Sequence, residues 1–532
     1  MQTLTNSRPM QVRKTGWRVG MRRIFTRIRA ILPNFKLVVL LSILGNLGAF
    51  SIRMTKNFLQ PHTLRAFRTE LVDFLKHTEQ AASSETNLFL KSLRGWEDAT
   101  DPMVVAQKIL HKIKTIKPEN NLPDLWFQLA NAYFLAGRFK DYESSYINGL
   151  KELKKARKNS SLDKLGVKFL FLEDWGWVIG HISHLDQLVK LRELGLLSAH
   201  RRILVLSPED GANKHYLKYW TQHLDVLMLS RHEARQLASI MRPLAEKLSG
   251  FELKDRFSMF YESWNLAVDN WNRERYPPLL QVSKEDSENG WGVMEQWGIP
   301  AGSWFIALHV REYNPHTPNH NRLRAAPNAD IQTYMPAIHS VIERGGWVVR
   351  MGDSSMSNLP IMHGLIDYAN STFKSEWMDV FLWASCRFFI GTSSGPLSVP
   401  PTFGVPVLYT NCPNIGISAA LGRSRLLPKL FHSKSEQRLL TFDEILAGPL
   451  GWTVSVPGDD IELRDNSPEE ILAGVEEMFS LLEAGSSDAF DALTELQAEF
   501  SRRRDRYGRN ASTPIAHSFI VNHQNLLAET HF

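Results

Sequence analysis

Two stretches of the chain alternate between short apolar segments and helix-like segments, and this rhythm constrains the fold more than any other feature. In the first stretch, Val167–Leu172 and Arg202–Leu206 have strand character and are separated by a helix-like run. Strands that alternate with helices form parallel sheets, because each right-handed crossover carries a helix back over the sheet. The chain is therefore predicted to be α/β, with two consecutive Rossmann-like domains. The strand-like segments of the second stretch are Trp304–Val310, Trp347–Met351, Arg387–Ile390 and Val405–Tyr409.

The remaining regions flank these two domains. A chain of 532 residues is long enough for two to four domains. Helical spacing dominates residues 61–157, and Ser467-Pro468 followed by two glutamates is a helix start. The predicted order is a basic leader (1–60), a helical region (61–157), a first Rossmann-like domain (158–295), a second Rossmann-like domain (296–460) and C-terminal helices (461–532).

The net charge of +6 originates in the leader. Residues 1–69 carry 13 of the 62 Lys and Arg residues and no Asp or Glu, which leaves 49 basic against 56 acidic residues in the rest of the chain. The body of the protein therefore has a net charge of −7. A nucleic-acid-binding domain would carry its basic patch on the folded body, so no nucleic-acid partner is expected.

Two parts of the leader predict contact with a membrane. Between Trp17 and Leu32, an apolar stripe with helical spacing is flanked by five arginines, as in helices that lie in an anionic membrane surface. The apolar run Leu37–Phe50 has 14 residues, about 21 Å as a helix, which is shorter than the ~30 Å hydrocarbon core. We expect a cytoplasmic protein held on the inner face of the cell membrane by a peripheral or monotopic anchor, residues 17–52. A single span and a signal peptide are the alternatives.

The helical region contains one match to a tetratricopeptide repeat (TPR). A single match also fits an ordinary helical hairpin packed on the next domain, since free-standing solenoids need three or more repeats. A TPR-like surface that docks a protein partner is the other interpretation. The matching residues are Trp126, Leu129, Ala130, Tyr133, Gly137 and Tyr146.

The segment Phe388–Tyr409 predicts a phosphate-binding loop. It is composed of a strand, a loop rich in glycine and hydroxyl groups, a short helix and a second strand. Backbone N–H groups and the positive end of the helix dipole favour an anion at such a helix start. The loop residues Thr392, Ser393, Ser394 and Gly395 are therefore predicted to hold a nucleotide diphosphate. Ser393 and Ser394 could alternatively cap the helix.

Four motifs of the second domain resemble the donor-binding domain of GT-B glycosyltransferases. The likeness covers roughly residues 165–450 and is closest to a bacterial family without a settled substrate. The motif HVR is also similar to the one with which α1,6-fucosyltransferases and protein O-fucosyltransferases hold the diphosphate of GDP-fucose. Those enzymes have two adjacent arginines after His-Val, whereas Glu312 follows Arg311 here. The motifs are HVRE at His309–Glu312, RMGD at Arg350–Asp353, FIGTSSGP at Phe389–Pro396 and FGVPV at Phe403–Val407.

The chemistry of glycosyl transfer assigns roles to the charged residues of these motifs. Negative charge grows on the departing diphosphate, and a forked guanidinium such as Arg311 can stabilise it. Arg350 would assist from the end of a buried strand, although both arginines could instead be structural ion-pair partners. Asp353 could contact a ribose hydroxyl or simply form a turn. No metal or other cofactor is expected, because the sequence has no convincing Asp-x-Asp motif and its two cysteines, Cys386 and Cys412, have no metal-ligand spacing.

A polar, proline-containing loop, Tyr313–Ile331, follows the HVR motif. Loops of this length inside a compact domain commonly close over a ligand or are mobile. The resemblance to the bacterial family implies that Asn321, Arg322 and Asp330 contact the substrate.

An inverting transferase also needs a general base, which should come from the first domain and face the donor. His181 follows Gly180 after the first strand and is the preferred residue. Asp210, in the loop SPEDGAN, is the second candidate. Each could instead have a local structural role, as a capping histidine or a turn-forming aspartate. His184 and Asp186 lie at the same end of the predicted sheet.

These observations predict a bacterial, membrane-associated glycosyltransferase, a hexosyl- or deoxyhexosyltransferase that acts without a metal. Its donor would be a nucleotide sugar, and its acceptor a glycan or lipid-linked glycan in surface polysaccharide or glycoconjugate synthesis. The resemblance implies that the C-terminal helices brace the two Rossmann-like halves. A nucleotide-sugar epimerase of GT-B architecture and a non-catalytic TPR-type scaffold with a vestigial GT-B body are the alternatives.

Overall fold

A computed structural model describes residues 102–115, 122–136, 138–159, 166–248, 250–312, 328–415, 423–447, 450, 460–484, 493–507 and 513–528. The predicted leader at 1–60 lies outside these ranges, as do Asn321 and Arg322. No helix within them is both long enough and apolar enough to cross a bilayer.

Three helices form the described part of the helical region: α1 (Pro102–Thr115), α2 (Leu122–Leu135) and α3 (Phe139–Asn159). Apolar residues spaced three and four apart give α1 and α2 facing stripes, which bury Val105, Ile109 and Leu129 between them. At the other side, α3 is joined to the first Rossmann-like half by an ion pair between Arg157 and Glu252 (2.7 Å), both nearly buried. The pair of helices α2 and α3 is thus a hairpin packed on the neighbouring half.

The first half contains a small parallel sheet. Its strands pair in the order β1-β2-β3, and on the other side of β1 the residue Phe169 bridges Ala245, also in parallel. Every residue of β1 is buried, as expected for a parallel strand covered on both faces. The elements are β1 (Val167–Phe171), α4 (Leu172–Trp175), α5 (Ile179–Glu193), β2 (Arg201–Leu206), α6 (Lys214–Trp220), β3 (Asp225–Met228), α7 (Arg231–Ile240), β4 (Gly250–Glu252), β5 (Phe257–Met259) and α8 (Phe260–Arg273).

The second half is built on a parallel sheet of six strands in the order β11-β10-β9-β6-β7-β8. Side chains alternate across it, so Phe305 and Ala307 face the first half, whereas Ile306 and Leu308 face the opposite layer. The predicted α/β class is confirmed. The elements are α9 (Lys284–Gln296), β6 (Phe305–His309), α10 (Met335–Glu343), β7 (Trp347–Arg350), β8 (Leu365–Asp367), α11 (Glu376–Ser385), β9 (Phe389–Gly391), β10 (Val407–Cys412) and β11 (Arg425–Pro428).

The C-terminal part covers the outer face of this sheet. An antiparallel sheet of order β13-β12-β14 lies beside helices whose apolar residues, among them Val475, Phe500 and Phe519, join the outer core. The elements are β12 (Leu430–Ser433), β13 (Arg438–Leu439), α12 (Phe442–Ala447), β14 (Ile461–Arg464), α13 (Pro468–Glu483), α14 (Glu495–Arg506) and α15 (His517–Asn522).

The two halves share one apolar core. Tyr216 and Trp220 of α6 are fully buried in the same cluster as residues of the six-stranded sheet. The hydroxyl of Tyr216 lies 2.9 Å from that of Thr402, and the N–H of Lys214 donates to Glu376 of α11 (2.8 Å). The helix α9 packs against α11 through Gly290 and Phe381, although the predicted boundary at 295 assigns it to the first half.

Candidate functional site

The carboxyl ends of β6 and β9 form the crevice around which the candidate site is built. From β6 the chain continues to β7 and β8 on one side, whereas β9, β10 and β11 extend the sheet on the other side. Open α/β sheets bind ligands at such a reversal, since the loops leaving the two strands diverge there. The strands end at His309 and Gly391, which are paired in register. The HVR and GTSSG motifs therefore meet at the topological switch point.

Thr392 joins the two strand ends and is fully buried. Its N–H donates to the carbonyl of His309 (3.2 Å), and its hydroxyl accepts a hydrogen bond from the N–H of Arg311 (2.9 Å). This hydroxyl thus acts inside the protein, where it holds the two motifs side by side.

The side chain of His309 holds the GTSSG loop through Ser394. The Ser394 hydroxyl donates to the carbonyl of Thr392 (3.1 Å) and lies 3.2 Å from Nδ1 of His309. Because that hydroxyl has a single proton, Nδ1 of His309 carries the hydrogen of the second bond. Burial, and then the charge of Arg350, lower the pKa of His309 to about 4, so its ring is neutral at pH 7. His309 belongs to the HVR motif but has no predicted role of its own; its place beside Arg311 at a strand end is the signal that could have indicated one.

Three consecutive backbone N–H groups at the crevice, those of Ser393, Ser394 and Gly395, find no acceptor among the described residues. Such a run of N–H groups is the usual protein contribution to an anion site. The predicted short helix after them is instead a pair of 3-10 helices, Gly395–Ser398 and Pro400–Phe403, and neither serine caps it. Three prolines in this segment lack the N–H groups that an α-helix needs.

The first half contacts this loop where Gly180 lies against Gly395 of the loop. A Cβ added to Gly395 would lie 2.9 Å from the N atom of Gly180, and one added to Gly180 would lie 3.1 Å from Cα of Gly395. Gly180 belongs to the first turn of α5, a helix of 15 residues whose start has no side-chain cap. The positive end of α5 therefore lies against the GTSSG loop, where it favours negative charge.

His181 follows directly in α5. Its Nδ1 lies 2.8 Å from the backbone carbonyl of Asp174. Since a carbonyl only accepts, Nδ1 carries the proton and Nε2 keeps its lone pair. Burial lowers the pKa of His181, although the Asp174 carbonyl and charge act in the opposite direction. The neutral ring has the protonation state that a general base requires.

The two arginines differ in their surroundings. Arg311 is partly buried, and its charge is among those that lower the pKa of His309. Arg350 is fully buried and donates to Asp367 (2.9 Å), to Glu312 (3.0 Å) and to the carbonyl of Ser357 (3.0 Å). Glu312 thus balances the charge of Arg350. This ion pair is a physical reason why a glutamate, and not a second arginine, follows Arg311. These contacts favour the structural interpretation of Arg350.

The predicted aspartates lie in local structure. Asp353 is exposed and accepts hydrogen bonds from the N–H and hydroxyl of Ser355, as a turn residue does. Asp330 caps the 3-10 helix Ile331–Tyr334 through the N–H of Gln332 (2.9 Å). Asp210 pairs with Arg231 (2.8 Å) at the surface of the first half.

The other two polar residues near the first strand are more buried. Asp186 is joined to Lys190 (2.7 Å) within α5. His184 packs edge-on against Phe260 and Trp264, with ring centroids 4.3 and 4.9 Å away. In the described part of the chain, no three His, Cys, Asp or Glu side chains are grouped as metal ligands.

Comparisons with known proteins gave matches among solved structures. No protein-family model matches the chain, and no curated protein is significantly similar to it. A glycosyl transferase of family 9 from Veillonella parvula DSM 2008 is 10% identical, with a TM-score of 0.34; the match covers 59% of this chain and 98% of that one. The ADP-heptose LPS heptosyltransferase II of E. coli is 12% identical, with a TM-score of 0.35, and the match covers 60% of this chain and 100% of that one.

Proposed function

We propose that the protein is a glycosyltransferase that transfers a hexose or deoxyhexose from a nucleotide sugar to a glycan or lipid-linked acceptor. The observation that carries the proposal is that the N–H groups of Ser393, Ser394 and Gly395 have no acceptor among the described residues and lie at the switch point of a six-stranded parallel sheet. Both motifs that meet there resemble the donor-binding domain of GT-B enzymes. The acceptor product would belong to a surface polysaccharide or glycoconjugate.

The proposed mechanism stabilises the leaving diphosphate with groups that are already in place. The three N–H groups and the uncapped start of α5 lie on either side of the contact between Gly180 and Gly395. As the glycosyl–phosphate bond breaks, this positive environment stabilises the growing negative charge, and Arg311 adds a guanidinium. No metal is required in this scheme.

The acceptor would be activated from the opposite side of the same contact. His181 is one residue beyond Gly180, and its Nε2 can accept the proton of an acceptor hydroxyl. The Asp210 carboxylate is occupied by its ion pair with Arg231. His181 therefore remains the preferred base, and Asp210 the second.

Calorimetric titration with UDP, GDP, dTDP and CMP tests the donor site. One nucleotide should bind, and Arg311→Ala should weaken its binding at least tenfold, because a charge-assisted contact to phosphate is lost. Arg273→Ala, at an exposed position of α8, is the matched control and should bind normally. Failure of all four nucleotides to bind would refute the proposal.

Turnover distinguishes the alternatives. A transferase consumes the donor only with an acceptor, whereas an epimerase consumes it alone and a scaffold does not consume it. His181→Ala should lower kcat by about 10²–10⁴ while leaving nucleotide affinity intact, as expected for a lost general base.

The proposal also includes a cytoplasmic location with membrane contact through residues 17–52. Deletion of residues 1–56 should release the protein from membranes in a sedimentation assay. Continued sedimentation with the membranes would exclude the leader as the anchor.

A further inference from the structure

A cavity of about 310 Å³ lies between the helical hairpin and the first half. Its wall includes the rings of Phe127 from α2, Tyr146 from α3 and Phe260 from α8, and also the polar side chains of Asn131, His181 and His184. The hairpin thus adds an aromatic lid to a space that the first half alone would leave open.

The cavity lies at a second reversal of strand order. The chain passes from β1 to β2 and β3 on one side, and on the other side Ala245 bridges Phe169 in parallel. Leu248, three residues beyond this bridge, lines the cavity. Because the bridge is parallel, Leu248 lies towards the carboxyl end of β1, where α5 also begins. Ligand sites of α/β sheets occur at such ends.

The same wall connects the cavity to the donor loop. His181 lines the cavity, and the preceding residue, Gly180, is in contact with Gly395 of the GTSSG loop. A hydroxyl bound next to His181 would therefore lie close to the GTSSG loop, because the residue before His181 contacts that loop.

The polar groups of the wall are suited to a hydroxylated ring. Nδ1 of His184 is buried and has no hydrogen-bond partner among the described residues. Burial, and then the neighbouring His181, lower the pKa of His184 well below its usual value, so the ring is neutral and offers one donor and one acceptor.

We propose that this cavity binds one sugar ring of the acceptor; this rests on the proposed function. Aromatic faces pack against the C–H faces of a sugar, while Asn131 and His184 reach its hydroxyls. The cavity volume is at the small end of ligand pockets, which are typically 300–1,000 Å³, and this suits a single ring. A prenyl chain would leave the imidazoles and the amide without partners.

Saturation-transfer NMR of the full-length protein tests the assignment without turnover. The probes are glucose, galactose, mannose, N-acetylglucosamine and rhamnose, each with and without the preferred nucleotide. At least one sugar should bind, with roughly millimolar affinity for so small a ligand.

Two variants then locate the bound sugar. His184→Phe keeps the ring contacts but removes both nitrogens, and it should weaken sugar binding about tenfold. Ala130→Phe, from a fully buried position of the cavity wall, should abolish binding by filling the space. His363→Phe is the matched control, because His363 also packs edge-on against a tryptophan, Trp347 at 5.0 Å, and should bind normally. Thermal unfolding identifies any variant that fails to fold, in which case the other variant decides.

The outcomes separate this proposal from the proposed function. Sugar binding that survives both cavity variants, or displacement of sugar by a short prenyl phosphate, overturns the acceptor site. Nucleotide binding without binding of any sugar overturns it as well, while the donor site stands. Sugar binding without nucleotide binding leaves a carbohydrate site and removes the transferase.

Discussion

At the scale of single residues, the candidate site depends on how closely two backbones approach. Gly180 and Gly395 come from different halves, and neither has a positive φ that would demand glycine. They are needed because a Cβ on either one would lie within 3.1 Å of a backbone atom of the other. His309 and Thr392 also have a structural role, because their side chains form hydrogen bonds that hold the two loops together.

Replacing Gly395 by alanine should separate α5 from the loop. The new Cβ would lie 2.6 Å from the side chain of Ile179 and 2.9 Å from the N atom of Gly180, so we expect a loss of about 1–3 kcal/mol in the free energy of unfolding. Nucleotide affinity should fall with it. Chemical denaturation measures the first effect, and calorimetry the second.

The matched control is Gly292→Ala in α9, where no described atom outside the adjacent residues and the helix's own backbone lies within 4 Å of the new Cβ. That change should stabilise the protein by roughly 0.5–1 kcal/mol, the helix-interior preference for alanine. Equal effects at the two positions would contradict the close-contact explanation.

Arg350→Met separates a structural arginine from a donor-binding one. The change leaves Glu312 and Asp367 without their buried partner, so the free energy of unfolding should fall by about 3–5 kcal/mol. A variant that keeps its stability in denaturant titrations but loses nucleotide affinity would show that Arg350 contacts the donor.

His309 should make stability depend on pH. Its pKa is about 4 in the folded protein and about 6.5 in an unfolded chain. The unfolded state therefore binds the proton more readily, so the contribution is complete above pH 6.5 and is lost as the pH falls to 4. The loss is at most about 3 kcal/mol.

His309→Asn removes the titrating group, so comparing this variant with the unmodified protein isolates the contribution of His309. Unfolding free energies of both proteins, measured between pH 4 and pH 8, should differ by an amount that shrinks or reverses towards acid. A difference that is constant over this range would show that His309 does not titrate as expected.

At the scale of elements, the candidate site depends on where individual helices begin. The stretch after the GTSSG loop forms 3-10 turns, so the helix dipole expected there is supplied instead by α5 from the other half. The hairpin of α2 and α3 depends on a buried charge cluster. Burial opposes ionisation of Glu252, but Lys154, Lys168 and Arg157 together lower its pKa to about 2.

Glu252→Gln should loosen the hairpin. Arg157 would lose its charged partner in a nearly buried position, at a cost of about 3 kcal/mol. Hydrogen exchange should accelerate in α2 and α3 before it does so in the six-stranded sheet. Glu262→Gln is the control, because the Glu262–Arg256 pair is about half exposed and should contribute less than about 1 kcal/mol. Unchanged protection of the hairpin would argue against Glu252 as its attachment.

At the scale of the whole molecule, the two halves are joined by a continuous core. Trp220 and Tyr216 of the first half are buried in the same cluster as Phe305 and Phe389 of the second. A cleft enzyme with independent halves would instead have two separate cores.

Calorimetry should therefore give a single unfolding transition for both Rossmann-like halves, with equal calorimetric and van't Hoff enthalpies. Trp220→Ala removes a large side chain from the shared core and should lower the free energy of unfolding by about 3–5 kcal/mol. The single transition should therefore move to a lower temperature as a whole. Two resolved transitions, only one of which responds to the substitution, would show that the halves unfold separately.

The sequence predicted the α/β class and six of the nine strands in the two parallel sheets that the structure describes, because buried parallel strands are short apolar runs that local composition reveals. It missed β3, β8 and β11, which have only three or four residues each. It also missed the five antiparallel strands among the described residues, which are β4, β5, β12, β13 and β14. It also predicted a helix after the GTSSG loop, where three prolines favour 3-10 turns. The TPR match, the leader and the roles of Asn321 and Arg322 stay predictions.

By itself, the sequence determined six of the described strands, which are apolar runs, and placed the HVR and GTSSG motifs at the ends of two of them, since local patterns encode both. Only the tertiary structure decided that β6 and β9 are neighbours at a switch point, that Arg350 is balanced by Glu312 and Asp367, and that α5 of one half meets the loop of the other. These relations join residues 17 to more than 200 positions apart. Strand order and long-range contacts are set by packing of the whole chain, which no local pattern records.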